Sequence, residues 1–275
     1  MGDKVFIWRT LGKKKKEDGG IIAEAVVTSY PELREDDKDE RPFYRPDRVA
    51  KANELALRVY MNIVRIADRK EIISRKWFLE DPILSSLPNI RMPQATNYIV
   101  SEDMLPRLGA LWANTGRNFN RSESLACLHT YSETLGGTIS KTAGSPVSNT
   151  ALLIGRAVQG VYNKLMNFRH IDQTDRRIGL SGGSEADRQV WDEFFDSVSQ
   201  KLRKAELDSE FKRIWGSSTS PGAPGPTIEA PEEALNFAVK KLQAYDLAAL
   251  LKRYADQKPL DSSKPHYLSN CCTLL

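Results

Sequence analysis

Hydrophobic positions are sparse and irregular over the first 48 residues and become periodic after them. Residues 1–48 hold the basic run Lys13 to Lys16, a glycine pair, mixed charges from Glu32 to Arg41, and Pro31, Pro42 and Pro46. Such composition buries little apolar surface, which predicts an extended, partly disordered N-terminal arm. Within it Val5, Phe6, Ile7 and Trp8 form a short apolar patch. The patch reads either as a docking point for a neighbouring subunit or a membrane, or as a frayed terminus. From Val49 onward Leu55, Val59, Ile63 and Ile66 recur at helical spacing among Arg, Lys and Glu, the pattern of an amphipathic helix.

Pro82, Pro88 and Pro93 then break the chain into short pieces, and residues 104–112 and 122–135 read as further helices. Gly136, Gly137 and Gly144-Ser145-Pro146 mark a loop, after which Asn149-Thr150 would cap a long helix to Phe168 with Val158, Val161, Tyr162 and Leu165 as its stripe. A second glycine-rich loop covers residues 179–184, and Ser184 with Asp187 begins a helix extending to about Trp215. Residues 217–231, rich in Ser, Gly and Pro, read as a linker. Beyond it residues 232–257 form an amphipathic helix with Leu235, Val239, Leu242, Leu250 and Leu251 among its apolar positions. That stripe needs the core or another chain to cover it. No strand-rich region is evident, so the expected class is all-α: an extended N-terminal arm (1–48), a helical core (49–216), the linker, and a C-terminal arm (232–275).

The chain has 275 residues, enough for a substantial core, and its 40 Lys plus Arg against 36 Asp plus Glu leave a net charge of only +4. A bulk field of that size does not argue for nucleic acid, so any basic site must be local. Three cysteines make no disulfide framework and suit a reducing cytoplasm. The sequence has no apolar run near the roughly 20 residues of a membrane helix and no secretory signal core, which predicts a soluble protein.

Signs of catalysis are weak. His129, His170 and His266 lie far apart without metal-ligand spacing, and Cys127 stands alone as a small core residue. Leu180-Ser181-Gly182-Gly183-Ser184 lacks the lysine of a phosphate loop and the strand of a nucleophile elbow. Asp192, Glu193 and Asp196 read more simply as a solvated or Arg-paired helix edge than as catalytic carboxylates. The expectation is therefore a non-enzymatic protein with no metal and no cofactor. More suggestive are Arg156, Lys164, Arg169, Arg176, Arg177 and Arg188 around Tyr162, Phe168 and Trp191. Cations for phosphates beside rings for bases describe a groove for single-stranded RNA. The competing reading is a set of core aromatics flanked by solvated charges.

The order of several short segments resembles the coat proteins of flexible filamentous plant viruses, the potyvirus and flexivirus group. The segments are Leu87-Pro88-Asn89-Ile90-Arg91-Met92-Pro93, then Asn149-Thr150-Ala151-Leu152 through Arg156 to Val161-Tyr162-Asn163-Lys164-Leu165-Met166, then Arg177-Ile178-Gly179-Leu180, then Val190-Trp191-Asp192-Glu193-Phe194-Phe195-Asp196-Ser197-Val198. The resemblance covers roughly residues 87–215; Glu193 interrupts the family's Phe-Asp-Phe pattern, and Arg156 lies a helical turn later than the family's arginine. The resemblance implies an all-α core that encapsidates single-stranded RNA, with Arg156 on a phosphate and Asp192 orienting it or touching the nucleotide. It also implies terminal arms that latch onto copies of the chain, giving a helical filament in the virion and host cytoplasm.

The sequence ends Asn270-Cys271-Cys272-Thr273-Leu274-Leu275, and Cys272-Thr-Leu-Leu fits a prenylation box, with Cys271 available for a second acyl chain. The alternative expectation is thus a membrane-associated matrix-like or effector protein held at a membrane surface by lipid. Gly2 lacks the Ser or Thr expected for myristoylation.

Overall fold

The computed structural model describes residues 2–10, 19–38, 41–43, 49, 51–91 and 97–216. Lys13 to Lys16, the linker 217–231, the amphipathic segment 232–257, Cys271 and Cys272 lie outside them.

The architecture is mixed α/β, which overturns the all-α expectation. Strands β1 (Lys4–Arg9), β2 (Gly20–Val27), β5 (Met61–Ile66) and β6 (Ile73–Ser74) form an antiparallel sheet in which β2 is central. Strands β3 (Glu32–Arg34) and β4 (Ala56–Arg58) pair as a separate ribbon. The expected N-terminal arm therefore supplies three strands. Its apolar patch is no frayed end, because Val5 and Phe6 are buried and Phe6 meets Trp112 edge-on at 5.8 Å. The spacing of Leu55, Val59, Ile63 and Ile66 suggested a helix, but Ile63 and Ile66 stand on β5 and Leu55, Ile63 and Ile66 are exposed. A buried stripe does not form there; the β-branched Val59, Ile63, Val64 and Ile66 instead favour the extended backbone.

The helices follow: α1 (Arg75–Glu80), α2 (Pro88–Arg91), α3 (Leu105–Asn114), α4 (Arg121–Glu133), α5 (Pro146–Leu153), α6 (Val158–Ile171), α7 (Glu185–Phe194) and α8 (Lys204–Trp215). The single long helix expected before Phe168 is two, because Gly155 takes φ +68 between α5 and α6, a conformation glycine tolerates and side chains resist. Ser145, not Asn149, caps α5. Ser184 caps α7 with Asp187 as its reciprocal partner, as the sequence indicates. That helix stops at Phe194: β7 (Phe195–Asp196) and β8 (Lys201–Leu202) make a small hairpin before α8. Asp196 closes the turn by accepting from the Val198 amide at 2.9 Å and the Ser199 hydroxyl at 2.6 Å.

The larger core lies among α4 to α8, where Leu125, Leu128, Tyr131, Val161, Leu165 and Phe168 are fully buried. A second core, with Phe6, Ile21, Ile73, Phe78, Leu108 and Trp112, joins the sheet to α1 and α3. Arg107 and Asp81 bind the two together. Their side chains are buried, with Arg107 Nη2 2.6 Å from Asp81 Oδ2, and the same guanidinium donates to the carbonyls of Ala151 and Arg156. Asp81 Oδ1 accepts from the amides of Ile83 and Leu84, so both charges are hydrogen-bonded as burial demands. Among the described residues no helix is long and apolar enough to cross a membrane.

Candidate interaction surfaces

The groove expected from the sequence is largely filled by the protein itself. Arg156, expected on a phosphate, is buried between α5 and α6, and all five of its guanidinium N–H groups have partners. Nε and Nη2 donate to the two oxygens of Glu123 at 2.9 and 2.7 Å; Nη2 also reaches the Asn118 carbonyl, and Nη1 the carbonyls of Asn114 and Arg117. No donor is left for a nucleotide. The acid that orients it is Glu123, not Asp192, which is exposed on α7.

Lys164 lies 2.5 Å from the buried Asp187 and over the Phe119 ring. Trp191 is a core residue, stacked on Phe195 at 5.1 Å and beside Phe168 and Tyr131, so its face is not free for a base. Tyr162 packs against the same core with Lys141 above its ring. Arg169 and Arg177 converge on Asp175, Arg177 at 2.5 Å and Arg169 at 3.7 Å. The Arg177 hydrogen bonds hold the Asp175 carboxyl down at about 2. Beside it the Tyr131 hydroxyl donates to Asp172 at 2.9 Å, and burial raises that phenol far above its ordinary range. Of the residues expected at RNA, Arg188 is exposed and its side chain has no partner among the described residues, and the same holds for Arg176 close by in sequence. Cys127 is buried, and desolvation pushes its thiol well above the usual range. Among the described residues no cluster of His, Cys, Asp and Glu is arranged to hold a metal ion.

Two surfaces that the sequence pattern does not reveal stand out instead. The first is a long bent hairpin. β2 runs antiparallel to β5, Thr28 N donates to Tyr60 O at 2.8 Å, and the pairing continues as β3 with β4, so residues 20–34 lie along residues 56–66. Tyr30, Leu33, Leu55, Tyr60, Ile63, Val64 and Ile66 along it are each more than half exposed. Within the described residues β5 pairs with β2 on one side and has no strand on the other. The register shifts between Glu24 and Ala25, leaving Val64 as an extra residue bulged from the ladder. Single exposed apolar residues are ordinary, but here seven belong to one hairpin.

The second surface is the α3–α4 loop. Arg65 on β5 donates to the carbonyls of Trp112 (2.7 Å) and Thr115 (3.3 Å), while Arg156 takes those of Asn114, Arg117 and Asn118. Two arginines thus hold five carbonyl oxygens, two in the last turn of α3 and three in the loop. Asn120 then begins α4 with a full capping box, its Oδ1 accepting from Glu123 N while Glu123 Oε2 accepts from Asn120 N. The Asn-x-x-Glu spacing at 120–123 is the signal that could have identified Glu123 in the sequence.

Compared with protein-family models, with curated proteins and with solved structures, the chain matches none. Fold and surfaces define its class by themselves: a mixed α/β protein whose described residues include a hairpin with exposed apolar side chains beside a helical body.

Proposed function

We propose that the protein is a coat- or nucleocapsid-type structural subunit, a virion component that assembles with copies of itself through the β2–β5 hairpin and packages single-stranded RNA. The observation that carries this reading is the set of seven apolar side chains of the hairpin that are each more than half exposed. A second copy is the occupant that this surface fits best. A surface that meets a different surface on the next copy makes a contact that need not close, and unclosed contacts propagate into helical filaments. The bulge at Val64 bends β5 and makes simple edge-to-edge strand pairing unfavourable, so contact through the apolar face, not continuation of the sheet, is the mode expected. The order of segments that resembles flexible filamentous coat proteins supports the same reading. So does the free charge of Arg176 and Arg188 on the helical body.

The test is Ile63→Lys with Ile66→Lys. Both side chains are exposed, so the double variant should retain the melting temperature of the parent to within a few degrees. Light scattering coupled to gel filtration, with negative-stain microscopy in the presence of single-stranded RNA, should show the parent as rings or filaments carrying RNA and the variant as monomers. A parent that stays monomeric and free of RNA at high concentration refutes the assembly reading. A variant that assembles as well as its parent removes the hairpin from the contact.

A further inference from the structure

We infer that the phosphate backbone of the RNA is held at a cationic double turn formed by Arg69, Lys70 and Arg117; the inference rests on the RNA-packaging reading above. The β5–β6 connection folds into a turn closed by Glu71 N donating to Asp68 O at 2.8 Å, which leaves Arg69 and Lys70 exposed at its tip. This turn sits directly on the α3–α4 loop. Thr115 Oγ1 donates to Glu71 O at 3.1 Å, and Arg65 Nη2 bridges Glu71 Oε2 and Thr115 O, each at 3.3 Å. Gly116 holds φ +74, and a Cβ there would lie 2.4 Å from Glu71 Cγ, so the close approach of the two turns requires glycine at this position.

Arg117 follows, its carbonyl held by buried Arg156 and its side chain exposed. Within the patch Glu71 is paired with Arg65, and among the described residues the exposed side chains of Arg69, Lys70 and Arg117 have no ion-pair partner, with the exposed Asp68 in the same turn. The two turns are locked to each other, so the cations are presented on a fixed frame. Positively charged groups on fixed backbone turns bind a polyanion through its phosphates. Trp112 is buried, and the cationic groups of Arg156 and Lys164 stand over the Phe119 ring at 4.6 and 4.9 Å, so the nearby rings are engaged within the protein. Binding here is therefore to the backbone and tolerant of base sequence.

The experiment compares full-length protein with the triple variant Arg69→Gln/Lys70→Gln/Arg117→Gln by fluorescence anisotropy of a labelled single-stranded RNA over a salt series. Each phosphate contact contributes about 0.7 to the slope of log affinity against log salt, so losing three should flatten it by about 2. The same relation gives a loss of roughly fifty-fold in affinity near 0.15 M salt. A control triple, Lys38→Gln/Lys201→Gln/Lys204→Gln, removes the same charge from exposed positions elsewhere and should change the slope much less. Equal losses in the two triples, or an unchanged slope in the first, overturn the site while leaving RNA packaging intact. A parent with no salt-dependent RNA affinity overturns the packaging reading itself, and the site with it.

Discussion

Arg156→Ala tests the structural account most directly, because the chain's resemblance and its geometry assign this side chain opposite roles. On a phosphate, its loss would weaken RNA binding in a protein that still folds. In the structure its side chain is 8 % exposed, that of Glu123 is 7 %, and all five guanidinium donors are spent inside. Alanine leaves the Glu123 carboxylate buried without its counter-ion and frees three carbonyls. Removing one partner of a buried ion pair costs about 3–5 kcal/mol. Against a total of about 5–15 kcal/mol for a domain, that is a large share. Urea unfolding followed by tryptophan fluorescence measures it. With m near 2–3 kcal/mol/M, the midpoint should fall by about 1.5 M with m unchanged. Arg156→Lys keeps the charge but cannot reproduce a five-donor planar fork, so it should recover only part of the loss. A loss below about 1 kcal/mol, in a variant whose RNA affinity has dropped sharply, would refute the clamp and restore Arg156 to the RNA.

Two further outcomes follow from buried and paired groups. Hydrogen bonds from Arg177 hold Asp175 at about 2, and Arg213 with Arg121 hold Glu210 at about 2. Both folded values lie below those of the unfolded chain, about 3.9 for Asp and 4.3 for Glu. Their stabilising contribution is thus complete above pH about 4.5 and is lost as the pH falls toward 2. Asp175→Asn with Glu210→Gln should flatten the fall of unfolding free energy over that window, and an equally steep fall would show that other carboxylates govern acid unfolding. Cys127 is fully buried with its thiol pushed up, so in a Cys271→Ser/Cys272→Ser variant a thiol reagent should label nothing in the native state and one group after denaturation. Rapid labelling before unfolding would contradict the packing around α4.

What the sequence made legible was local. The cap at Ser184 depends on one side chain and an acid three residues on, and both its position and its partner are as expected. The aromatics of residues 191–195 also follow a readable rule: Trp191 and Phe194 turn inward at helical spacing while Asp192 and Glu193 face water. The pairing of β2 with β5 was not legible, since it joins residues some 40 apart in the chain and no short window reports it. Apolar spacing at 55–66 was misleading for a related reason. A period of three to four implies a helix only if those side chains are buried together, and here Leu55, Ile63 and Ile66 are exposed while Val59 alone packs against a core.

Composition alone also cannot tell a cation that serves the fold from one that remains for a ligand. Arg65, Arg107 and Arg156 are as basic as any residue in the chain, yet together they hold carbonyl oxygens of Trp112, Asn114, Thr115, Arg117, Asn118, Ala151 and the backbone of Arg156 itself. A planar guanidinium with five donors suits this work, since one side chain can fix several carbonyls of an irregular loop that no helix or sheet satisfies. The price is that the arginines nearest the aromatics are the ones least able to meet a phosphate. Charge available to a polyanion then falls to short turns, where among the described residues the side chains of Arg69, Lys70 and Arg117 have no internal acceptor and the frame beneath them is held by Arg65 and Arg156. If RNA is held there as proposed, Arg156 would act on it only through the loop that carries Arg117. Arg156→Lys, by loosening that loop without changing net charge, should lower RNA affinity in proportion to the stability it costs, whereas Arg117→Gln should lower affinity at unchanged stability. If the two variants move affinity and stability in the same ratio, the loop is not the link between the clamp and the surface.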